Sequence, residues 1–213
     1  MTTYDDQLSE YITNLYAAED GALQATWEDT QKKGLPTINV KAEEGRFLQF
    51  MVRACGAKKA VEMGTLGGYS GIWIARGLLP GGKLITLEKE AYRADIARDH
   101  FGLAGLSDKV EVRVGNAHDL LRGLVGEGPF DFVFIDAEKT GYVSYFDWAL
   151  ENTHKGAVIA AHNAFRGGRV LDRSGDDEST DTIRAFNQRV AENPGLISTI
   201  YPAGDGMVVA VKI

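Results

Sequence analysis

The sequence predicts an α/β fold, a doubly wound, mostly parallel seven-stranded sheet that ends in an antiparallel β-hairpin and carries extra N-terminal helices. Three observations predict it. From Lys59 onward, apolar runs alternate with segments of helical periodicity, and glycine-bearing turns separate them. The run Phe132 to Ile135 has four consecutive apolar residues, the pattern of a parallel strand buried on both faces. The last two strand-like segments flank the short turn PAGDG, which reads as a hairpin.

Taken in order, apolar positions recur at helical spacing near Gln7 to Lys33 and Glu43 to Cys55, with Gly34, Pro36 and Gly56 as breakers. The alternation then runs through strand Lys59 to Met63, helix Ser70 to Leu79, strand Lys83 to Leu87, helix Ala91 to Ala104 and strand Val110 to Val114. Helix Ala117 to Val125, strand Phe130 to Ile135, helix Tyr142 to Asn152 and strand Ala157 to Ala161 continue it. A polar loop, Asp172 to Ser179, precedes helix Asp181 to Glu192, and strands Leu196 to Tyr201 and Met207 to Lys212 close the chain. One domain is expected, residues 1–55 as a helical cap and 56–213 as the sheet core. A chain of 213 residues with 44% apolar content suffices for one sizeable core.

The formal charge is −7 with both signs mixed, so no basic stripe offers itself to a nucleic-acid backbone. Cys55 is the single cysteine, which excludes an intrachain disulfide framework and a thiolate zinc cluster. The N-terminus MTTYDDQLSEYI lacks an apolar signal core, and no apolar run approaches the ~20 residues that span a bilayer. A cytoplasmic location without membrane partners is expected.

Chemistry should gather where strands end, because open α/β sheets place ligands at their carboxyl edge. The turn VEMGTLGGYSG follows the first strand and opens a helix. Its glycines permit positive φ and close approach of a ligand, and the helix start at Tyr69 and Ser70 offers free N–H groups to an anion. Gly64, Gly67 and Gly68 do not fit the GxGxxG spacing of dinucleotide enzymes. Glu88, ending the second strand, is placed to accept ribose hydroxyls. Glu62 lies in an otherwise apolar strand and needs a partner, which a cationic ligand would supply. In FVFIDAEKTGY, the charges Asp136, Glu138 and Lys139 stand at the mouth of the same edge.

These motifs, in order INVKAEEG, VEMGTLGGYS, TLEKE, GNA, IDAEKTGY, HNAFRGG and GDG, resemble the cation-dependent catechol and caffeoyl-coenzyme A type O-methyltransferases, from about Pro36 to the C-terminus. The resemblance implies a Rossmann-like fold, S-adenosylmethionine as cofactor and a phenolic small-molecule acceptor. It implies cofactor contacts from Val40, Glu62, Gly64, Thr65, Ser70, Glu88, Ala117 and Asp136, with His118 beside the adenine. It also implies a divalent metal held by Asp136 and by a pair that in this chain reads His162 and Asn163. An Asp would stand in the family at His162, so the expected ion is Mg²⁺ or, given an imidazole donor, a borderline metal such as Mn²⁺, Co²⁺ or Zn²⁺.

Lys139 is the expected base, since a phenol with pKa ~10 reacts faster once a nearby group takes its proton. Among the aromatic residues, Trp27, Trp73, Trp148, Tyr142 and Phe146 read mostly as core, while Phe165 and Arg166 read as pocket walls. The loop Arg173 to Ser179 would face the entrance, its acidic residues disfavouring an anionic coenzyme A thioester. Lys41, Glu43 and Arg46 read as the wet face of a helix. The helices up to Arg53 would either cover the site or form a contact in a homodimer, and a homodimer is expected. Three alternatives stay open: a methyltransferase of hydroxylated tRNA nucleosides, a metal-independent enzyme, and a non-catalytic cofactor binder. A nicotinamide dehydrogenase is disfavoured by the glycine spacing.

Overall fold

The computed structural model describes residues 4–172 and 177–213. Eight helices are seen among them: α1 (Asp6–Tyr16), α2 (Gly21–Lys32), α3 (Ala42–Ala54), α4 (Tyr69–Gly77), α5 (Ala91–Leu103), α6 (Ala117–Leu124), α7 (Tyr142–Asn152) and α8 (Glu178–Ala191). The strands are β1 (Lys59–Met63), β2 (Lys83–Glu88), β3 (Val110–Val114), β4 (Phe130–Ile135), β5 (Thr153–Ala161), β6 (Leu196–Tyr201) and β7 (Met207–Lys212). They form one seven-stranded sheet of order β3-β2-β1-β4-β5-β7-β6. Strands β1 to β5 pair in parallel, and β7 runs antiparallel to both β5 and β6. The strand order reverses at β1 and β4, so the crevice for a ligand lies at their carboxyl ends.

Side chains alternate across the strands and build two cores. Ala60, Leu84, Phe132, Phe134, Val158 and Ala160 pack with α3, α4 and α5. Val61, Ile85, Val133, Ile135, Ile159 and Ala161 pack on the opposite face with α6, α7 and α8. The apolar run of β4 therefore feeds both faces at once, as a doubly wound sheet requires.

Three boundaries differ from the sequence reading by more than two residues. The helical stretch Gln7 to Lys33 is two helices, because Asp20 accepts from the Leu23 amide (3.2 Å) and starts α2 afresh. Likewise Asp177 accepts from the Ser179 amide (3.1 Å), so α8 begins inside the segment expected to be loop. The rest of that segment, 173–176, lies outside the described residues. Strand β5 starts four residues earlier than Ala157, on Thr153, whose hydroxyl donates to the Ala149 carbonyl (2.7 Å). No described helix is long and apolar enough to cross a membrane.

The N-terminal helices share the first core: Ala17, Leu23 and Leu48 are fully buried with Tyr69 and Trp73. Glu43 is not on a wet face, as its composition suggested. It is buried and accepts from Tyr4 (2.8 Å), Ser9 (2.5 Å) and Thr13 (3.2 Å), which pins α1 to α3. Arg46 lies over the Trp73 ring, 4.9 Å from its centroid, and Lys41 pairs with Asp6 (2.9 Å).

Helices α3 and α4 meet at Gly45, where a β-carbon has no room against the Trp73 indole. We expect Gly45→Ala to lower stability by about 1–3 kcal/mol through overpacking, although alanine suits a helix better than glycine. Thermal unfolding would register this as a fall of about 2–4 °C per kcal/mol for a chain of this size. An unchanged midpoint would mean that α3 retreats from Trp73 at no cost.

Candidate active site

Backbone hydrogen bonds lace the strand ends to one level. The Gly64 amide donates to the Leu87 carbonyl (3.0 Å), the Asp136 amide to Met63 (2.9 Å) and the His162 amide to Ile135 (3.0 Å). The residues that follow β1, β4 and β5 therefore open onto one cleft beside the end of β2. Gly64 is required there: its φ is +98°, and a β-carbon would collide with the Asp136 carbonyl. Gly68, at φ +87°, precedes α4 and caps it with no side chain, which leaves the first amides of α4 free of a side-chain cap.

Glu62 is fully buried on β1. Its partners come from the chain itself: Ser70 donates to one oxygen (2.5 Å) and Thr86 to the other (2.7 Å). Thr65 and Thr86 hydroxyls join at 2.6 Å and extend the cluster. Burial pushes Glu62 up to about 7, against the two hydroxyls that favour its ionised form. Glu88 is also buried; it accepts from the Leu66 amide (2.8 Å) and the Glu90 amide (3.0 Å), which ties the glycine-rich loop to the end of β2. Each oxygen keeps a lone pair for a further donor. At the start of α6, Asn116 accepts from the His118 amide (2.9 Å) and caps the helix that Ala117 opens. The His118 ring stacks on Tyr145 with centroids 4.6 Å apart. Val40 is buried in the first core and lies next to Lys41, whose amide donates to Glu44 (2.8 Å).

Around Asp136 the side chains form a closed chain of contacts. Lys139 Nζ lies 3.0 Å from Asp136 Oδ1 and donates to the Tyr142 hydroxyl (2.7 Å), which in turn donates to the His162 carbonyl (3.1 Å). His162 Nδ1 lies 3.5 Å from Asp136 Oδ2, and His162 Nε2 lies 2.9 Å from Glu44 Oε1. Burial works against the charged form of Asp136, but Lys139 and His162 overcome it and hold the carboxyl far below its usual range. Burial likewise works against charge on His162, and the Asp136 and Glu44 carboxylates outweigh it, raising the imidazole to about 10.

The hairpin turn between β6 and β7 explains the GDG triplet. Gly204 approaches the Glu44 carboxylate too closely for any β-carbon, and Gly206 does the same beneath the Phe165 ring. Asp205 between them accepts from the Asn163 amide (2.9 Å) and from the Gly167 backbone (2.6 Å). Glu44, Tyr142 and Asp205 were not singled out from sequence as site residues. Glu44 contacts a residue 118 positions away, and the only local hint was a carboxylate pair opening an amphipathic helix.

The sequence-expected metal ligands follow the carboxyl ends of β4 and β5. Asp136 and His162 meet, but the amide nitrogen of Asn163 is turned to Asp205, and both ring nitrogens of His162 face carboxylates. Among the described residues no group of three His, Cys, Asp or Glu side chains is able to hold a metal ion. The cleft brings together the side chains of Asp136 and Glu62, the start of α4, which has no side-chain cap, and Gly64, where no β-carbon fits.

The O-methyltransferase family profile matches residues 13–213. The chain is 40% identical to a catechol O-methyltransferase of Niastella koreensis over 97% of this chain and 96% of that one. It is 42% identical to a catechol O-methyltransferase of Mycobacterium tuberculosis over 89% of this chain and 85% of that one. Its fold is similar to the O-methyltransferase from Bacillus cereus in complex with SAH, with a TM-score of 0.91 and 38% identity over 97% of both chains. With a match across nearly the whole length and a cleft built from the matching motifs, the chain belongs to the O-methyltransferase family.

Proposed function

We propose that this enzyme transfers a methyl group from S-adenosylmethionine to one hydroxyl of a small catechol-like vicinal diol. The observation that carries the reading is the pairing of Asp136 with Lys139 at the carboxyl end of β4, beside the glycine-rich loop. The catechol acceptor is supported by the names of the relatives at 40% and 42% identity, and the methyl donor by solved relatives in complex with SAH and SAM.

S-adenosylmethionine supplies an electrophilic methyl group on a sulfonium. Asp136 and Glu62 supply negative charge near that cation, and Gly64, Thr65 and Ser70 line its methionine end together with the Val40 backbone. Glu88 accepts from the ribose, and Ala117 borders the adenine with His118. When the sulfonium sits near Asp136, it competes with Lys139 for the carboxylate, which makes the lysine readier to give up its proton. Neutral Lys139 then takes the proton of the attacking hydroxyl. The phenol oxygen forms the new C–O bond as the C–S bond of the donor breaks, leaving a thioether. Opposite charges on phenolate and sulfonium disappear in this step, so a site shielded from water favours it. Orientation of the acceptor in line with the methyl contributes as well, since near-attack positioning is worth roughly 7 kcal/mol or more in favourable cases.

Phe165, half-buried under the β6–β7 turn, and Arg166, within 3.7 Å of Asp177, stand at the acceptor side. A cytoplasmic homodimer acting on a small phenol is the assembly we propose.

The test is a comparison of acceptors. We expect catechol to be methylated at least tenfold faster than phenol, because a second oxygen anchors the ring, and we expect no transfer to bulk tRNA. Equal rates with phenol would remove the diol from the reading. Methylated tRNA would move the acceptor to a nucleoside.

A further inference from the structure

We propose that His100 is a positioning residue that couples helix α2 to the methyl-donor loop: its Nδ1 fixes the shape of that loop, and its Nε2 ties the shape to Asp29 of α2. The inference rests on the reading that the glycine-rich loop after β1 lines the methionine end of the donor. His100 lies on α5 with its side chain fully buried. Nδ1 is 2.7 Å from the Gly67 carbonyl, an oxygen that only accepts, so Nδ1 carries a hydrogen and donates it. Nε2 is 3.0 Å from Asp29 Oδ2. One ring thus joins two segments that lie far from it in sequence, the donor loop and the N-terminal cap.

The loop needs an anchor at this point. Leu66 has φ +49°, a left-handed conformation that a leucine adopts only where its surroundings hold it, and Gly68 follows at +87°. Glu88 holds the Leu66 amide (2.8 Å), and the Gly68 amide turns back onto the Thr65 carbonyl (2.8 Å). The Gly67 carbonyl lies between those two bonds and is satisfied by His100. Without Nδ1 it would be a buried acceptor with no donor, which is costly enough to turn the peptide between Gly67 and Gly68. That peptide leads into Tyr69 and Ser70, which open α4 with no side-chain cap, and the Ser70 hydroxyl donates to Glu62 (2.5 Å). A turned peptide therefore displaces both the amides and the hydroxyl that face the donor.

Helix α2 supplies the other end of the link. A β-carbon on Gly67 would touch Thr26 of α2 and Leu35 just beyond it, so the loop is seated directly against this helix. Lys33 steadies Asp29 at 2.7 Å. Independent contacts dock α2 on α4: Trp27 meets the Tyr69 ring edge-on with centroids 5.5 Å apart, and Asp20 pairs with Arg76 at 2.5 Å. Removing the Asp29 contact thus leaves α2 docked and severs only its bond to the residue that holds the loop. Linkage is reciprocal, so a donor that favours the native loop also holds α2 in place.

The experiment combines calorimetry with S-adenosylhomocysteine and hydrogen exchange of α2 followed by mass, both on the full chain. Two amide side chains separate the roles of the ring nitrogens: asparagine places its amide where Nδ1 stood, and glutamine where Nε2 stood. His100→Gln should weaken S-adenosylhomocysteine binding about tenfold, as expected when a buried carbonyl loses its donor, and His100→Asn should recover most of that loss. A side chain that merely fills space would rank the two the other way, because glutamine is nearer to histidine in size. In the native chain, S-adenosylhomocysteine should slow exchange in α2 about threefold or more, and Asp29→Ala should abolish that slowing. Native affinity in His100→Gln, or a larger loss in His100→Asn than in His100→Gln, would overturn the proposal with the donor reading intact. Slowing of α2 that persists in Asp29→Ala would overturn it as well, and this result decides should His100→Gln fail to fold. No S-adenosylhomocysteine binding by the native chain would remove the donor reading and the proposal with it.

Discussion

Replacing Lys139 with alanine should lower kcat/KM for catechol by about 10²–10⁴-fold, the range that a positioned proton acceptor contributes. The amine has two contacts, Asp136 at 3.0 Å and the Tyr142 hydroxyl at 2.7 Å. Lys139 competes with the donor's sulfonium for Asp136 rather than touching the donor, so donor affinity measured by calorimetry should hold or rise in the alanine variant. Lys139→Arg sharpens the assignment. A guanidinium keeps the positive charge beside Asp136 but does not lose its proton at accessible pH. If Lys139 takes the proton, arginine is as defective as alanine. An arginine variant with near-native turnover would reduce the residue to a counter-charge.

Asp136→Asn should damage both folding and binding. The carboxylate is shared by Lys139 and His162, and removing it leaves Lys139 without this counter-charge and His162 with Glu44 alone; breaking a buried ion network typically costs about 3–5 kcal/mol. For a chain of this size that corresponds to a midpoint lower by roughly 10 °C. The pH dependence has a definite sign. Because the folded-state pKa of Asp136 lies below the unfolded one, its contribution to stability is present above the ordinary carboxylate range. It is lost as pH falls toward the depressed value. The native chain and Asp136→Asn should therefore converge in stability on acidification. The variant should also bind S-adenosylmethionine at least tenfold more weakly, since one negative charge near the sulfonium is gone. Equal donor affinity in both proteins would remove Asp136 from the cofactor site.

The alternation of apolar strands with helical segments was legible because burial on both faces leaves an unbroken apolar run, as in β4, and because glycines mark the turns. Strand bounds at β1, β3, β4, β6 and β7 coincide with the sequence reading for that reason. The helix start at Asp177 was hidden because a capping aspartate within a polar stretch reads as loop until its partner amide is known. At the site, Asp136 and Lys139 stood out by their place at the end of β4, and His162 only through the family resemblance. Their partners did not. Glu44 reads as one of two surface carboxylates in the first turn of α3, and its role exists only once β5 and the β6–β7 turn are packed against that helix. Glu43 beside it misleads in the same way, since its three hydroxyl partners come from residues 4 to 13. Contacts between distant segments are the part of a site that periodicity and spacing do not carry.

The most direct measurement is a single turnover of the purified protein with S-adenosylmethionine and catechol, in which methylated product and S-adenosylhomocysteine are quantified by mass. The account predicts one equivalent each of monomethylated catechol and S-adenosylhomocysteine from the native chain, and neither from Lys139→Arg. Bound donor with no methylated catechol, or product formed equally well by Lys139→Arg, would contradict it.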